Sequence, residues 1–166
     1  MSAKIAGVST ETLPALRLIG KWYTDPQNFV AYWHEWFDKG WFEEIKELGV
    51  APENRDAYLG ATPPGAPCYW IGLLFPPGTP VPDGYDCVEI PASRYAVFKF
   101  EGKKEWELFG EEGCELCAEE TRKRGLSFSG DGWGIERSYR YGQKGIVLFE
   151  ELSGGFLNAQ NLEEDV

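Results

Sequence analysis

Glu136 and Glu151 are the residues of this chain whose type and spacing could do chemistry. They lie in two aromatic and β-branched runs, 133–141 and 145–152, that read as strands joined through Gly142-Gln143-Lys144-Gly145. A symmetric loop of even length sets Glu136 directly opposite Glu151. One residue along, on the other side of the sheet, Arg137 faces Glu150, a favourable cross-strand ion pair. The glutamate pair is a like-charge pair, which sheets avoid, and two carboxylates that close do not ionise fully together. Such a pair suits the floor of a cation site, or general acid–base work on a water. A wet strand end with both carboxylates in solvent is the alternative, because an odd-length loop slips the register and turns one of them to the opposite face.

Other reactive residue types lead less far. Cys114-x-x-Cys117 resembles half a metal site, but zinc needs four ligands, and Cys68, Cys87 and the lone His34 are not suitably spaced to complete one. The pair falls inside a helical stretch rather than at the helix start where redox pairs sit, so both cysteines are expected as buried small residues. His34 is expected on a helix surface. No Gly-rich loop with Lys follows a strand, so nothing here cradles phosphate. No metal or cofactor is expected.

The elements that must position the glutamates come in two copies. Leu13-Pro14-Ala15-Leu16-Arg17-Leu18 answers to Ile90-Pro91-Ala92-Ser93-Arg94-Tyr95, and each opens an apolar run. The first half reads as strand 12–24, helix 28–48, strand 57–62 and strand 69–75. Phe29, Val30, Trp33, Phe37, Trp41, Ile45 and Leu48 form the helical stripe. The second half reads as strand 86–100, helix 104–124, carrying Trp106, Phe109, Leu116 and Cys117, and strands 133–141 and 145–152. The prediction is an α+β fold of duplicated βαββ halves, with two helices packed on a largely antiparallel sheet and a pseudo-twofold axis between the halves. The chain is expected as one domain over 1–166: half one 10–76, a proline-rich linker 76–84, half two 85–152 and a polar tail 153–166.

The repeat also locates the walls of a cleft. Glu136 answers to Gly60, and a constant offset makes Glu151 answer to Phe75. Tyr58, Thr62, Tyr69, Ile71, Leu73 and Phe149 share their face, and a second aromatic line on the first helix, Phe29, Tyr32 and Trp36, could border it. Plain core packing accounts for the same residues. A cleft with rings on both sides and acid on one suits a flat ligand with one cationic end.

Sixteen Lys and Arg against 27 Asp and Glu leave a formal charge of −11, without the basic patch that binding to nucleic acid requires. No apolar run approaches the roughly 20 residues of a membrane span. The N-terminus has no basic region leading into an apolar stretch, and with four cysteines the expected location is the cytoplasm.

The string Ile90-Pro91-Ala92-Ser93-Arg94-Tyr95-Ala96-Val97-Phe98, closed by Gly102, resembles the gyrase-inhibitor-like (GyrI-like) small-molecule-binding family. That family is also known as the bacterial transcription-activator effector-binding domain. The likeness spans residues 10–152, with Ser93 where family members often have glycine. It implies a cleft between the halves, walled by aromatic rings, with a glutamate that meets cationic ligands. Glu136 resembles that glutamate, with Glu151 as a second carboxylate and Tyr58, Tyr69 and Phe149 as wall residues. The expectation is a stand-alone sensor or sequestering protein whose partner is a small hydrophobic, cationic molecule. Two alternatives follow from the same resemblance. One is a hydrolase of electrophilic, cyclopropane-containing natural products that uses Glu136 and Glu151 as catalytic groups. The other is a protein-interaction module of the gyrase-inhibitor type.

Overall fold

A computed structural model of the chain describes residues 4–25, 28–65, 67–102, 111–139, 147–158 and 162. In chain order the elements are β1 (Lys4–Leu13), β2 (Leu16–Tyr23), α1 (Phe29–Asp38), α2 (Trp41–Lys46), a 3₁₀ turn (Pro52–Asn54), β3 (Tyr58–Thr62) and β4 (Tyr69–Phe75). They continue with β5 (Asp86–Ile90), β6 (Ser93–Gly102), α3 (Glu111–Arg124), β7 (Gly134–Tyr139) and β8 (Val147–Gly154). Each Pro-Ala phrase divides a run expected as one strand. Proline has no amide hydrogen to give to a ladder, so the chain leaves one partner at Pro14 or Pro91 and joins another. Each half therefore carries one strand more than the βαββ reading.

All eight strands form one antiparallel sheet in the order β1-β6-β8-β7-β3-β4-β2-β5. Exchanging β1 with β5, β2 with β6, β3 with β7 and β4 with β8 reverses this order and leaves it unchanged. The pseudo-twofold axis thus passes between β3 and β7, where Gly60 stands opposite Glu136. Each half gives its first strand to the other: β1 pairs with β6 and β5 with β2. Because only Pro14 and Ala15 join β1 at one edge to β2 near the other, the sheet must curl, and one face turns inward. Leu13, Leu16, Leu18, Leu59, Ile90, Tyr95, Val97, Ile135 and Leu152, all buried, belong to that face.

The other face carries the helices. Trp33 and Trp36 of α1 and Phe42 and Ile45 of α2 pack with Tyr58, Ile71, Leu73 and Phe75 of the first half. Leu116 and Cys117 of α3 pack with Phe98, Phe100 and Phe149 of the second. The helix expected over 28–48 is two helices, broken at Gly40, whose φ of 68° is left-handed and suits glycine. The break turns Phe42 and Ile45 inward and leaves Val30 and Leu48 exposed. Residues 103–110, with Trp106 and Phe109, and the hairpin loop 140–146 lie outside the described residues.

The polar tail expected from 153 onward is structured where it is described. Strand β8 runs to Gly154, the Phe156 amide donates to the Arg94 carbonyl (3.1 Å), and Phe156 and Leu162 are buried beside Phe128 and Leu126. Apolar side chains spaced through an otherwise polar segment are enough to anchor it. Ser93 takes part, its hydroxyl accepting from the Gly155 amide at 3.0 Å. Among the described residues no helix is long and apolar enough to cross a membrane.

Candidate functional site

The β7–β8 register places Glu136 directly opposite Glu151 and Arg137 opposite Glu150, as a symmetric hairpin requires. The two glutamates share the helix-bearing face, between α1 on the first-half side and α3 on the second. Both are partly exposed, as are Tyr69, Phe29 and Cys117 around them. Neither glutamate has an ion-pair partner among the described residues. The Tyr69 hydroxyl lies 3.5 Å from Glu136 Oε2, as a long hydrogen bond.

Tyr69 is held from behind. Trp33 Nε1 donates to its hydroxyl oxygen at 2.9 Å, which leaves the hydroxyl proton for Glu136. Phe29, one helical turn before Trp33, meets the Tyr69 ring edge-on at 6.3 Å between centroids. The ring lies across Gly60, where any Cβ would collide with the hydroxyl and the ring carbon bearing it. Glycine at the axis is therefore what lets Tyr69 reach from β4 across β3 to a carboxylate on β7.

Burial pushes the Glu136 carboxyl up to about 7, against the lowering effect of the Tyr69 hydrogen bond. Glu151 is raised well above the usual carboxylate range by burial and by the charge of Glu136. Tyr69 is raised by burial first and then by Glu136, and the Cys117 thiol by burial and then by Glu151. A pair of this kind titrates as a unit and keeps a proton where an ordinary carboxylate has none.

Of the residues predicted for the site, Glu136, Glu151 and Tyr69 come together. Tyr58 is buried under the helices, with its ring 4.9 Å from Phe37 and 4.7 Å from Phe42, so it supports the floor from the core. Phe149 shares the face of Glu151 but is buried against Phe100, with centroids 5.7 Å apart. It also lines a cavity of about 410 Å³ with Lys99, Tyr139 and Glu150, which neither Glu136 nor Glu151 lines. In the helical line proposed as a border, Phe29 does reach Tyr69. Tyr32 stacks on Tyr23 at 4.0 Å, and Trp36 donates to the Tyr23 hydroxyl.

Trp33 was expected only as core. The signal for its role is an indole N–H, which needs a partner when buried. The constant offset also fails in the last strand. Gly60 pairs with Ile71 while Glu136 pairs with Glu151, so the counterpart of Glu151 is Ile71 rather than Phe75, and that of Tyr69 is Phe149. More chain separates the strands of the second hairpin than those of the first. Cys114 is exposed and Cys117 partly so, contrary to the expectation that both are buried, because the face of α3 at Cys114 turns to solvent. Among the described residues no cluster of three or more His, Cys, Asp or Glu could hold a metal.

No protein-family model and no curated protein matches the sequence. Solved structures do match. The structure of SAV2435 bound to tetraphenylphosphonium superposes with a TM-score of 0.72 at 15% identity, over 96% of this chain and 99% of that one. The fold is GyrI-like. A putative bacterial transcription regulation protein from Staphylococcus aureus MU50 shares it, with a TM-score of 0.65 at 15% identity over 89% of this chain and 96% of that one. So does a chain of the EcmrR–DNA complex, with a TM-score of 0.62 at 12% identity over 94% of this chain and 58% of that one. At these identities the likeness speaks for the GyrI-like fold and not for individual site residues.

Proposed function

We propose that the protein binds a small, hydrophobic, cationic molecule on the helix-bearing face at the pseudo-twofold axis, as a sensor or sequestering protein. Glu136 is the charge partner, Glu151 a second carboxylate, and Tyr69, Phe29 and Trp33 form the aromatic wall. The observation that carries this reading is the pair of facing, partly exposed carboxylates without a cationic partner among the described residues. A bound cation would supply the missing charge, and the aromatic faces beside it attract cations as well as apolar groups. The structural neighbour bound to tetraphenylphosphonium supports the same ligand class. The four cysteines, Cys68, Cys87, Cys114 and Cys117, are not joined in disulfides, which suits a reducing compartment such as the cytoplasm.

Tetraphenylphosphonium and tetraphenylborate have nearly the same shape and opposite charge, so the pair separates charge recognition from apolar burial. Titrated against intrinsic tryptophan fluorescence, the phosphonium is expected to bind and the borate to fail. Glu136→Gln should remove most of that difference. Equal binding of both ions by the native chain would sink the proposal. Recovery of an excess of a cyclopropane-containing electrophile unchanged by mass spectrometry distinguishes a binder from a hydrolase acting through the same carboxylates.

A further inference from the structure

We infer that this site exchanges a proton for its ligand: Glu136 and Glu151 hold one proton between them when the cleft is empty, and release it when a cation settles on them. The inference rests on the cation reading above and adds to it a fixed stoichiometry and a pH dependence.

The geometry supplies the reason. Directly opposed residues in an antiparallel pair have Cβ atoms about 4.5–5.5 Å apart, so two carboxylates there repel unless a positive charge or a proton intervenes. The surroundings among the described residues offer no positive charge. Strand β3 contributes Gly60 and the buried Tyr58, and β4 contributes Tyr69. Strand β6 sets Phe98 opposite Glu151. Helix α1 contributes Trp33, and its His34 is exposed. Helix α3 contributes Cys117, with Cys114 exposed one turn away.

On the glutamates' own strands, Arg137 and Glu150 face the other side and pair with each other. The cross-strand row that runs Glu151, Glu136, Gly60, Ile71 ends at Lys21 on β2. That ammonium is engaged elsewhere, donating to the Gly84 carbonyl at 2.6 Å and lying over the rings of Trp41 and Tyr85. A proton is then what relieves the repulsion in the empty site. When a ligand brings its own charge, one O–H bond breaks, the proton leaves to solvent and no other bond changes.

Tetraphenylphosphonium has no titrating group, so any proton released on binding comes from the protein. Calorimetric titration at pH 7.5 in phosphate and in Tris, whose ionisation heats differ, counts those protons. The expected result is about one proton per ligand, with affinity rising up to tenfold per pH unit on the acid side of the pair's titration. Glu151→Gln should still bind, with release well below one proton and a pH dependence confined to the range in which burial alone holds a proton on Glu136, and His34→Asn should leave the count unchanged.

Binding with the same heat in both buffers from pH 5.5 to 8 would overturn the exchange while leaving the cation site intact. Carbon-13 NMR of glutamate carboxyls in the ligand-free chain gives a ligand-independent check. At least one resonance should titrate well above the ordinary range, and Glu151→Gln should remove the highest of these; if all titrate normally, the shared proton is wrong. That resonance without phosphonium binding would instead overturn the cation reading, and the exchange with it.

Discussion

On one side of the β7–β8 ladder Arg137 faces Glu150; one residue along, on the other side, Glu136 faces Glu151. The two pairs share strands and register, and differ in how their charge is settled. Arg137 is fully buried, donating to both carboxylate oxygens of Glu11 (2.8 and 3.0 Å) and to the Glu53 carbonyl (3.1 Å). Its Nε lies 3.0 Å from Glu150 Oε1, close enough for an ion pair although not aligned as a hydrogen bond. The Tyr139 hydroxyl donates to the same Glu150 oxygen at 2.7 Å. This network ties β1 and the loop before β3 to the centre of the sheet. Among the described residues the glutamate pair has one long hydrogen bond, from Tyr69. A buried charge that is paired holds a structure together, whereas a partly exposed like-charge pair weakens it.

The sharpest way to break the comparison is to remove the guanidinium. Arg137→Met removes the buried charge between Glu11 and Glu150, leaving Glu11 to the exposed Arg55 (3.1 Å) and Glu150 to the Tyr139 hydroxyl, and one-sided loss of a buried ion pair costs about 3–5 kcal/mol. Urea unfolding should show a loss of that size. A change below about 1 kcal/mol would mean that the network is solvated and does not clamp the sheet.

Much of this contrast could be read from sequence, and its limits have physical causes. Both cross-strand pairs follow from the spacing around Gly142 and Gly145, since a hairpin's register is set by loop length once the strands are recognised. The duplication led to the axis and to Gly60 as the counterpart of Glu136. Spacing within one strand could not indicate that Pro14 and Pro91 mark where each half gives a strand to the other, because that depends on which partner the freed edge finds. Glu11, just ahead of the strand predicted over 12–24, clamps Arg137 only because of this exchange. The counterpart of Glu151 was misplaced for a similar local reason, unequal hairpins within otherwise matching halves. Tyr69 crossing Gly60 depends on a side-chain path across two strands, which periodicity does not encode.

Stability against pH should separate the pairs by sign. Glu151 is raised in the folded chain, so its contribution is full below the unfolded value and is lost as pH rises through the folded one. Glu11 is lowered, burial opposing but the Arg137 hydrogen bond and charge prevailing, so its contribution is full above the ordinary carboxylate value and is lost as pH falls. Glu151→Gln should therefore raise the melting temperature at pH 8 and change little at pH 4. Glu11→Gln should do the reverse, costing stability at pH 8 with the cost shrinking towards acid. Parallel curves for the two variants would show that the pairs do not differ as described.

Gly60→Ala tests the acidic side by steric means. The added methyl falls where the Tyr69 hydroxyl and its ring carbon now lie, so the ring must swing out or β3 must shift. Overpacking of this kind costs about 1–3 kcal/mol. The predicted signature is a loss of phosphonium affinity together with modest destabilisation, read by fluorescence titration and thermal melting of the same sample.

The smallest effect is expected at Tyr69→Phe, which makes this position like its counterpart Phe149. The ring and its contact with Phe29 remain while the hydroxyl goes, so Trp33 Nε1 loses its acceptor and Glu136 its donor. One hydrogen bond of this kind is worth about 0.5–1.5 kcal/mol. The direction at Glu136 is also determined: the Tyr69 hydrogen bond lowers this carboxyl, so its removal should move the pair's titration further up. Ligand affinity at pH 6.5 should then fall more than at pH 8.5. An equal fall at both pH values would make Tyr69 a packing residue that leaves the acidity of the pair untouched. Adding Trp33→Phe closes a double-mutant cycle, and if Trp33 acts through the hydroxyl the second substitution should change the pair's titration no further.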